Sequence, residues 1–530
     1  MGILAAVDVA SQVADAIGKI KTVIEGLTPK RAVILEVQNL TGAPLKRVAF
    51  DHADGGFAEI PSIDIPPGQA DVFGATSTGI ASGTKGRVTY ESDAGFLVNV
   101  GWSNPITGSP DATSSVGGDN AGNFEVRDVA GAGHTAQMQY VVRPGLTPSL
   151  IVRNGSAEAG RVSEIAAVRS GASDVLTAVR AGDDTLKLIQ WSVSADGAAI
   201  SRIADSGSAA GEASGIDIAR GRLFVTACRS GAGKLVLISW ELRTSAGVTS
   251  IVRRGDSRSA SGGDRAGEAR SARIVALTDT LFVTAVRNAS GNLVLIAWRL
   301  EDDGELIRVA DSADQAQAVT EIALVKVSPD AAGNHRVVTA VRGGDGTLVM
   351  ISWSVAPDGS SIRRLAFDHG QGGTGIADLI RAVATGPTRV VTSVRSASGN
   401  LVLISWSLDA NGTLARLSDS HGQAGRILDN ALMSRPGGVL SAVHGLDGLR
   451  LIRWTVSAQG AIARVSDSGS QAGVARRIAL PQEELQGSAS IITAVQTADE
   501  NLKLISWRDG SPATLPKTRK PNVPSKQASG

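Results

Sequence analysis

The side chains best suited to chemistry recur in the C-terminal two-thirds of the chain, where Asp-Ser pairs follow short segments rich in β-branched residues. Carboxylate, hydroxyl and amide groups repeated in this way predict a polar ligand face along one rim of a repeat protein. The candidate ligand residues are Asp205, Ser206, Asp311, Asp419, His421, Asp467, Ser468 and Gln471. The alternative is structural, because Asp and Ser side chains also form Asx-type turns that hold loops.

The sequence predicts no enzyme active site. It contains no nucleophile elbow, P-loop, His/Glu metal motif or catalytic carboxylate pair that stands out from the repeat. Six histidines are scattered along the chain, and His369 and His421 fall in equivalent loops of adjacent repeats as a weaker candidate pair. The single cysteine, Cys228, excludes an intramolecular disulfide and a cysteine-built metal site. We therefore expect no catalytic residue, no metal and no cofactor.

The elements that must position these side chains form a repeat of about 50 residues. Its most regular segment has the form Leu-x-Leu/Met-Ile-x-Trp and ends at Trp191, Trp240, Trp298, Trp353, Trp406, Trp454 and Trp507. A second segment resembling Thr-Ala-Val-Arg precedes each Trp segment, and both alternate as strands do. Turn sequences such as Ala195-Asp196-Gly197 predict hairpins after most Trp segments. Four strands per repeat correspond to one propeller blade.

The two ends of the repeat predict a closed ring over residues 149–510. The last copy stops at its Trp507 strand, whereas a surplus strand, Leu150–Arg153, precedes the first copy. That strand can complete the last blade and remove the open sheet edges. The predicted fold class is therefore mainly β: an N-terminal amphipathic helix plus β-sandwich, followed by a seven-bladed β-propeller closed by strand 150–153.

Two other recurrent residue types favour structural roles over ligand binding. Each repeat has about one Trp at a fixed strand position, which is more typical of core packing than of a sugar-stacking site. Arg recurs in the second strand of five copies, and the copy that has Gln496 there also lacks an aligned Asp. We hypothesise an Arg–Asp pair within or between blades, because buried charge needs a partner; a repeated ligand site is the alternative.

The N-terminal segment, residues 1–28, predicts an amphipathic helix over residues 3–27. The candidate membrane-inserting face consists of Val9, Val13, Ile17, Ile20, Ile24 and Leu27. About 25 residues at 1.5 Å per residue span roughly 37 Å, enough for a bilayer core. The chain has no run of about 18 apolar residues, so we expect no constitutive transmembrane helix. The alternative is a helix that simply packs on its own domain.

Alternating segments after the helix predict a compact β-sandwich over residues 29–142. This part also resembles the actinoporin-type pore-forming cytolysins. The helix followed by Lys30-Arg31-Ala32-Val33 and Asn39-Leu40-Thr41-Gly42 is similar to the opening of that family. Further similar segments are Ala81–Tyr90, Phe96–Pro105 and Gly133–Ala136. The resemblance is collinear over about residues 3–142 and is distributed over these segments.

This resemblance implies that the helix leaves the sandwich, inserts into a membrane and lines an oligomeric pore. In the family an aromatic patch also holds phosphocholine headgroups. Where the family has a Tyr/Trp-rich loop, this chain has Ile106–Asp111, and recognition of a quaternary ammonium group needs aromatic side chains. Trp102 and Tyr140 are the nearest aromatic residues and the candidates for membrane or headgroup contact, but core packing is the favoured interpretation of both.

The leading functional hypothesis is a pore-forming, toxin-like protein whose propeller recognises a cell-surface ligand. The expected partners are target-membrane lipid, a cell-surface glycan or protein receptor, and further copies of the chain on the membrane. A non-lytic lectin, adhesin or binding scaffold is the alternative. The N-terminus lacks the pattern of a secretory signal, so we expect a soluble protein that is released by a non-classical route and then associates with a target membrane.

Charge is distributed unevenly along the 530 residues, although the formal net charge is only +1. Residues 1–142 carry 9 Lys/Arg and 15 Asp/Glu, a net of −6, and the remaining 388 carry 43 and 36, a net of +7. The small total charge gives no reason to expect a nucleic-acid partner. Residues 143–148 are the predicted linker, and residues 511–530, with four Pro and four Lys/Arg, are predicted to be a disordered tail.

Overall fold

The computed structural model describes residues 4–27, 31–41, 43–79, 82–118, 121, 124–144, 151–257, 267–313, 315–369, 375–420, 424–445, 448–469, 472–481 and 490–509. Most of the predicted linker and all of the predicted tail lie outside these residues. Residues Leu4–Leu27 form the helix α1, and its apolar residues recur every three or four positions as predicted. The remaining regular elements are strands, which confirms a mainly β protein.

Ten strands of the N-terminal part form two sheets packed face to face. They are β1 (Ala32–Asn39), β2 (Leu45–Asp54), β3 (Gly56–Glu59), β4 (Asp64–Ile65), β5 (Ala70–Thr76), β6 (Thr84–Ser92), β7 (Phe96–Asn104), β8 (Asp111–Gly117), β9 (Phe124–Ala130) and β10 (Thr135–Pro144). One sheet has the order β3-β5-β1-β10-β9 and the other β4-β2-β6-β7-β8. Strands β1 and β10 are parallel, and the side chains between the sheets form one apolar core. This arrangement is a β-sandwich.

The remaining strands follow one another as antiparallel neighbours in small sheets. They are β11 (Ile151–Arg169), β12 (Val175–Ala181), β13 (Leu186–Val193), β14 (Ile200–Asp205), β15 (Ala213–Arg220), β16 (Phe224–Ser230), β17 (Leu235–Ser245), β18 (Val248–Asp256), β19 (Ala269–Ala276), β20 (Leu281–Asn288), β21 (Leu293–Leu300), β22 (Leu306–Asp311), β23 (Val319–Val327), β24 (His335–Gly343), β25 (Leu348–Val355), β26 (Ile362–His369), β27 (Ala377–Gly386), β28 (Arg389–Ser396), β29 (Leu401–Leu408), β30 (Leu414–Asp419), β31 (Asp429–Arg435), β32 (Gly438–Gly445), β33 (Gly448–Val456), β34 (Ile462–Asp467), β35 (Ala475–Ala479), β36 (Ser490–Thr497) and β37 (Asn501–Asp509).

Five sheets contain four consecutive strands each, from β15–β18 to β31–β34. A larger sheet has the order β14-β13-β12-β11-β37-β36-β35 and so joins the first and last repeats. The long strand β11 makes this join, because its first part, from Ile151 to Arg161, pairs with β37 and its second part, from Val162 to Arg169, pairs with β12. Small antiparallel sheets of this kind are those of a propeller-like fold.

Every repeat buries its Trp against a hydroxyl group on the preceding strand. The Trp Nε1 donates to the hydroxyl oxygen at 2.9–3.0 Å in the pairs Trp191–Thr177, Trp240–Thr226, Trp298–Thr284, Trp353–Thr339, Trp406–Thr392, Trp454–Ser441 and Trp507–Thr493. All seven indoles are essentially inaccessible to solvent. A buried indole N–H needs an acceptor, so the recurrent Thr and Trp form one structural unit, and the core-packing interpretation of the Trp residues is confirmed.

Candidate functional site

The Ser of the Asp-Ser pairs is part of the backbone bonding of each sheet. In the first repeat the Ser206 Oγ accepts the N–H of Leu188 at 2.9 Å, and the Ser206 N–H donates to the Leu188 carbonyl at 2.9 Å. The same pair of hydrogen bonds joins Ser257 to Leu237, Ser312 to Leu295, Ser420 to Leu403 and Ser468 to Leu451. These serines are buried. Their hydroxyl groups therefore close the end of the outer strand.

The Asp of each pair also has partners within its own turn. An Arg three residues earlier on the same strand contacts it in the pairs Arg202–Asp205, Arg253–Asp256, Arg308–Asp311, Arg416–Asp419 and Arg464–Asp467. The other carboxylate oxygen of the Asp accepts the backbone N–H of the residue two positions later. Gly207 donates to Asp205 and Ala313 donates to Asp311, both at 2.7 Å. These contacts are those of an Asx-type turn, so they favour the structural alternative for the rim residues.

The rim Asp therefore pairs with an Arg of its own strand and not with the second-strand Arg that the hypothesis assigned to it; the second-strand arginines have other partners. Of these, Arg180 contacts Asp184 at 2.9 Å and Arg395 contacts Asp378 at 2.6 Å. Gln496, which replaces Arg in the last repeat, donates to the carbonyl of Val162 at 2.6 Å. The residue at this position of the second strand therefore has a different local partner in each of these repeats.

Asp467 lies at the contact between the sandwich and the propeller-like part and not on an open rim. Its side chain is 3% exposed and faces Arg464, Arg450 at 3.7 Å and, from the sandwich, Arg127 at 3.8 Å. Burial opposes ionisation of Asp467, but Arg464 and Arg450 outweigh it and lower its pKa. Burial, with repulsion from Arg143, in turn lowers the pKa of Arg464 to about 9. The prediction of Asp467 as an accessible ligand residue was wrong, because neighbouring charges enclose it.

The remaining rim candidates lie in different environments. Ser468 is buried with Asp467, whereas the side chains of Asp205 and Asp311 are about one-third exposed. His421 and Gln471 lie outside the described residues. For His369 the strand is described but not the side chain. Within the described part of the chain, no group of three or more His, Cys, Asp or Glu side chains is arranged to hold a metal ion.

Helix α1 packs on the outer face of the sandwich sheet that contains β1, β3 and β5. Ile20 and Ile24 are buried there against Ala32 and Ile34, with Ile17 partly buried beside them. Gly74 makes this approach possible, since a Cβ at position 74 would lie only 2.7 Å from Cγ2 of Ile20.

The other residues of the predicted inserting face differ in how far their side chains are exposed to solvent. Val13 is 9% exposed, whereas Leu27 is 56% exposed. Val9 falls among the residues whose side chains are not described. No helix in the described part of the chain is both long enough and apolar enough to cross a membrane.

Trp102 and Tyr140 belong to the core between the two sandwich sheets. Trp102 is 2% exposed and donates from Nε1 to the Thr84 hydroxyl at 3.2 Å, and Tyr140 is fully buried and donates to the Gly101 carbonyl. Burial raises the pKa of Tyr140 far above its ordinary value. The prediction that these residues contact membrane or headgroups was wrong for this conformation, because alternation along β7 and β10 points both side chains inward.

An exposed apolar patch on the sandwich was missed from the sequence. It consists of Val48, Phe50, Ile60 and Ile63, which are 50–69% exposed. Arg47 links two of these residues: its N–H donates to the Ile63 carbonyl at 2.7 Å, and its guanidinium lies 5.2 Å from the Phe50 ring centre. Contiguous exposed apolar side chains mark contact surfaces more often than isolated ones do. The Ile60-Pro61-Ser62-Ile63 turn, apolar at both ends, was the available sequence signal.

His52 lies behind this patch in a cluster of aromatic rings. Its ring centre is 4.1 Å from that of Phe57 and 5.5 Å from that of Trp102. Both ring nitrogens are buried without a hydrogen-bond partner among the described residues. Burial lowers the pKa of His52, and the nearby Asp51 opposes this only in part. The imidazole is therefore neutral in the folded protein near pH 7.

No protein-family model and no curated protein matches the chain. Among solved structures, the lipid-binding protein Nakanori is 21% identical over 27% of this chain and 88% of its own, with a TM-score of 0.23. The periplasmic gluconolactonase PpgL of Pseudomonas aeruginosa is 12% identical over 58% and 86%, with a TM-score of 0.40. Sqt1 of Saccharomyces cerevisiae is 11% identical over 67% and 99%, with a TM-score of 0.40. The fold described above rests on strand pairing and packing, independently of these likenesses.

Proposed function

We propose that residues 4–144 form a membrane-active unit in which α1 leaves the sandwich and inserts into a target membrane as an oligomer. The observation that carries this proposal is that, among the side chains that the structure describes, the sandwich core contains none from α1. The helix instead belongs to a separate, smaller apolar cluster on the outer face of one sheet. The helix can therefore detach without opening the core that holds the two sheets together.

The contacts of α1 set the size of the barrier to detachment. Of the helix side chains that the structure describes, Ile20 and Ile24 are the most deeply buried, and full burial of each is worth about 1.5–3 kcal/mol. The apolar interface of a bilayer can replace this burial, since an amphipathic helix lies there with its apolar face inserted. The polar side of α1, which includes the exposed residues Asp15 and Lys19, would then face water inside an assembly of several helices.

The resemblance of residues 3–142 to the actinoporin-type cytolysins supports the same proposal. Because Trp102 and Tyr140 are buried, lipid contact is assigned to a different surface, the apolar patch of Val48, Phe50, Ile60 and Ile63. Its side chains protrude next to the guanidinium of Arg47, which suits the boundary between headgroups and acyl chains. Recognition of the target cell is assigned to the propeller-like part.

We infer that residues 151–509 close into a ring of seven blades. The double pairing of β11 with β12 and β37 supports closure. A contact between blades recurs in the four repeats that have Ser before the Trp: this Ser donates to a hairpin carbonyl of the next repeat, as from Ser239 to Gly304 and from Ser405 to Gly460, both at 2.5 Å. The equivalent Ser506 of the last repeat donates to Gly197 of the first. The same inter-blade contact thus also links the last repeat to the first.

Release of a dye from liposomes tests the membrane proposal. The full chain and a deletion of residues 1–28 are compared on vesicles of varied lipid composition, with a deletion of residues 511–530 as the matched control. The expected result is release by the full chain and the control, and at least a tenfold loss on removal of the helix. Binding of the same vesicles by Phe50→Ser and Ile63→Ser variants tests the patch, with a severalfold weakening expected.

Equal release by the full chain and the helix deletion would refute insertion of α1. Vesicle binding without release would instead favour the alternative function, a non-lytic lectin, adhesin or binding scaffold that uses the propeller. A glycan array probed with the full chain then distinguishes specific sugar recognition from scaffolding.

A further inference from the structure

A cavity of about 440 Å³ runs between the innermost strands β11, β15, β19, β23, β27, β31 and β35, and all seven contribute to its wall. Most of the wall consists of small or medium apolar side chains such as Ala219, Ala276, Leu324 and Val383. This volume lies in the range of sites for small organic ligands. The cavity belongs to neither the helix nor the rim loops described above.

The charged residues of the wall have an excess of positive charge. Four are basic, Arg220, Arg273, Lys326 and Arg381, and one is acidic, Asp217, so the net charge is 4 − 1 = +3. Both carboxylate oxygens of Asp217 accept backbone hydrogen bonds. Its Oδ1 accepts the N–H of Ile218 and its Oδ2 accepts the N–H of Ile274, both at 3.0 Å. Asp217 therefore joins β15 to β19; burial raises its pKa, and the charges of Arg273 and Arg381 oppose that shift.

Arg273 and Arg381 retain donors that no described protein group accepts. Arg273 donates from Nη1 to the carbonyl of Ala272 at 2.8 Å, and its Nε and Nη2 have no described acceptor. Arg381 donates from Nη1 to the Ile380 carbonyl at 3.0 Å and from Nη2 to Asp429 at 3.3 Å, which leaves its Nε.

The two guanidinium groups also repel each other. Burial lowers the pKa of Arg381, Asp429 opposes this shift, and the charge of Arg273 adds to it. Glu321 and Arg477 also act on Arg381, with opposite signs. An anion placed between Arg273 and Arg381 would relieve this repulsion and accept the remaining donors.

We propose that the cavity binds a small organic anion whose carboxylate or phosphate group lies between Arg273 and Arg381. The planar guanidinium presents paired donors that match both anionic groups. The apolar wall would contact the body of the ligand, and Arg220 and Lys326, about three residues further along their strands, extend the positive potential towards the other end. This site is independent of the proposed membrane activity.

Calorimetric titration of the full chain tests the proposal with three probes: inorganic phosphate, glucuronate and uncharged glucose. The expected result is saturable binding of at least one anion and none of glucose, with a loss of affinity of at least tenfold in Arg273→Gln and Arg381→Gln. Arg222→Gln, which removes an arginine paired with Asp302 outside the cavity, is the matched control and should retain wild-type affinity.

The pattern of binding identifies the ligand chemistry. Binding of phosphate alone points to a phosphate-bearing ligand, and binding of glucuronate alone to a sugar acid or another carboxylate. Arg273 makes only one local bond, so Arg273→Gln still decides the question if Arg381→Gln does not fold. Absence of binding by both anions, or wild-type affinity in Arg273→Gln, would overturn the proposal.

Discussion

Helix α1 and the Trp-bearing strands are held to the molecule in different ways. The helix lies on the outside of one sheet and is fixed by a short row of apolar side chains centred on Ile20 and Ile24. Each Trp strand lies inside a sheet, pairs on both sides and fixes its indole through a buried hydrogen bond to Thr or Ser. Removal of α1 leaves the sandwich core complete, whereas removal of one Trp strand would divide a sheet.

This difference indicates which part of the molecule can move. Segments with few buried contacts open locally at a low cost in free energy, and core strands open only with global unfolding. The sandwich and the propeller-like part are therefore expected to act as rigid bodies, and α1 as the element that changes position. Two substitutions test this contrast between a separable helix and fixed strands, and a third tests the pH dependence of the sandwich.

The largest effect is expected from Trp298→Ala in β21. The indole is fully buried, so its removal creates a cavity and leaves the Thr284 hydroxyl without its donor. We expect the free energy of unfolding to fall by about 3–5 kcal/mol, measured by urea denaturation. Trp298→Phe, which keeps an aromatic ring but loses the hydrogen bond, should cost less. A loss below about 1 kcal/mol for the alanine variant would contradict the structural role of the Trp.

A smaller and local effect is expected from Gly74→Ala in β5. The new Cβ would lie 2.7 Å from Cγ2 of Ile20, so the helix must shift outward. Overpacking of this kind costs about 1–3 kcal/mol, and here it should weaken only the helix contact. Hydrogen exchange should become at least tenfold faster in α1 and remain unchanged in β1 and β10. The control is Gly56→Ala, whose Cβ would lie 3.8 Å from its nearest neighbour.

The smallest effect concerns the pH dependence of the sandwich. The pKa of His52 is lowered by burial, so between this value and the ordinary value of about 6.5 the unfolded chain binds more protons than the folded one. The contribution of the neutral His52 to the free energy of unfolding is fully present above pH 6.5. It is lost as the pH falls through the pKa of His52 in the folded protein. As the pH falls from 7.5 to 5.5, we expect the melting temperature of the His52→Phe variant to fall less than that of the wild-type protein. Identical pH dependence in the two proteins would exclude His52 as the cause.

The elements that could be predicted from the sequence are those with a regular period. The apolar steps of α1, the alternation of β7 and β10, and the recurrence of Trp each indicate their element directly. Strand β5 gives a weaker sequence signal because Gly74 interrupts its alternation, and β8 because it is rich in Ser and Thr. The same alternation places Trp102 and Tyr140 inside the sandwich, although the resemblance suggested a surface role.

The contacts of the candidate sites were harder to predict because their partners are far apart in the chain. Ile20 meets Gly74 across 54 positions, and Asp217 meets Ile274 across 57. The partner of the rim Asp was misassigned although it is only three residues away. Adjacent side chains on a regular strand alternate between faces, so an (i, i+3) pair is not expected there. Each of these outer strands has a β-bulge between the Arg and the Asp, as at Val309 opposite Ala297 and Trp298, and the extra residue brings the two side chains to the same face.

The most direct test of the separable helix is a disulfide that locks it to the sandwich. In an Ile20→Cys, Gly74→Cys variant the two sulfurs are within reach, because a Cβ at position 74 lies 2.7 Å from the Cγ2 that a sulfur would replace. The native Cys228 is buried and does not compete. The expected result is no dye release from liposomes by the oxidised protein and release after reduction of the disulfide. Equal release in both states would contradict the account.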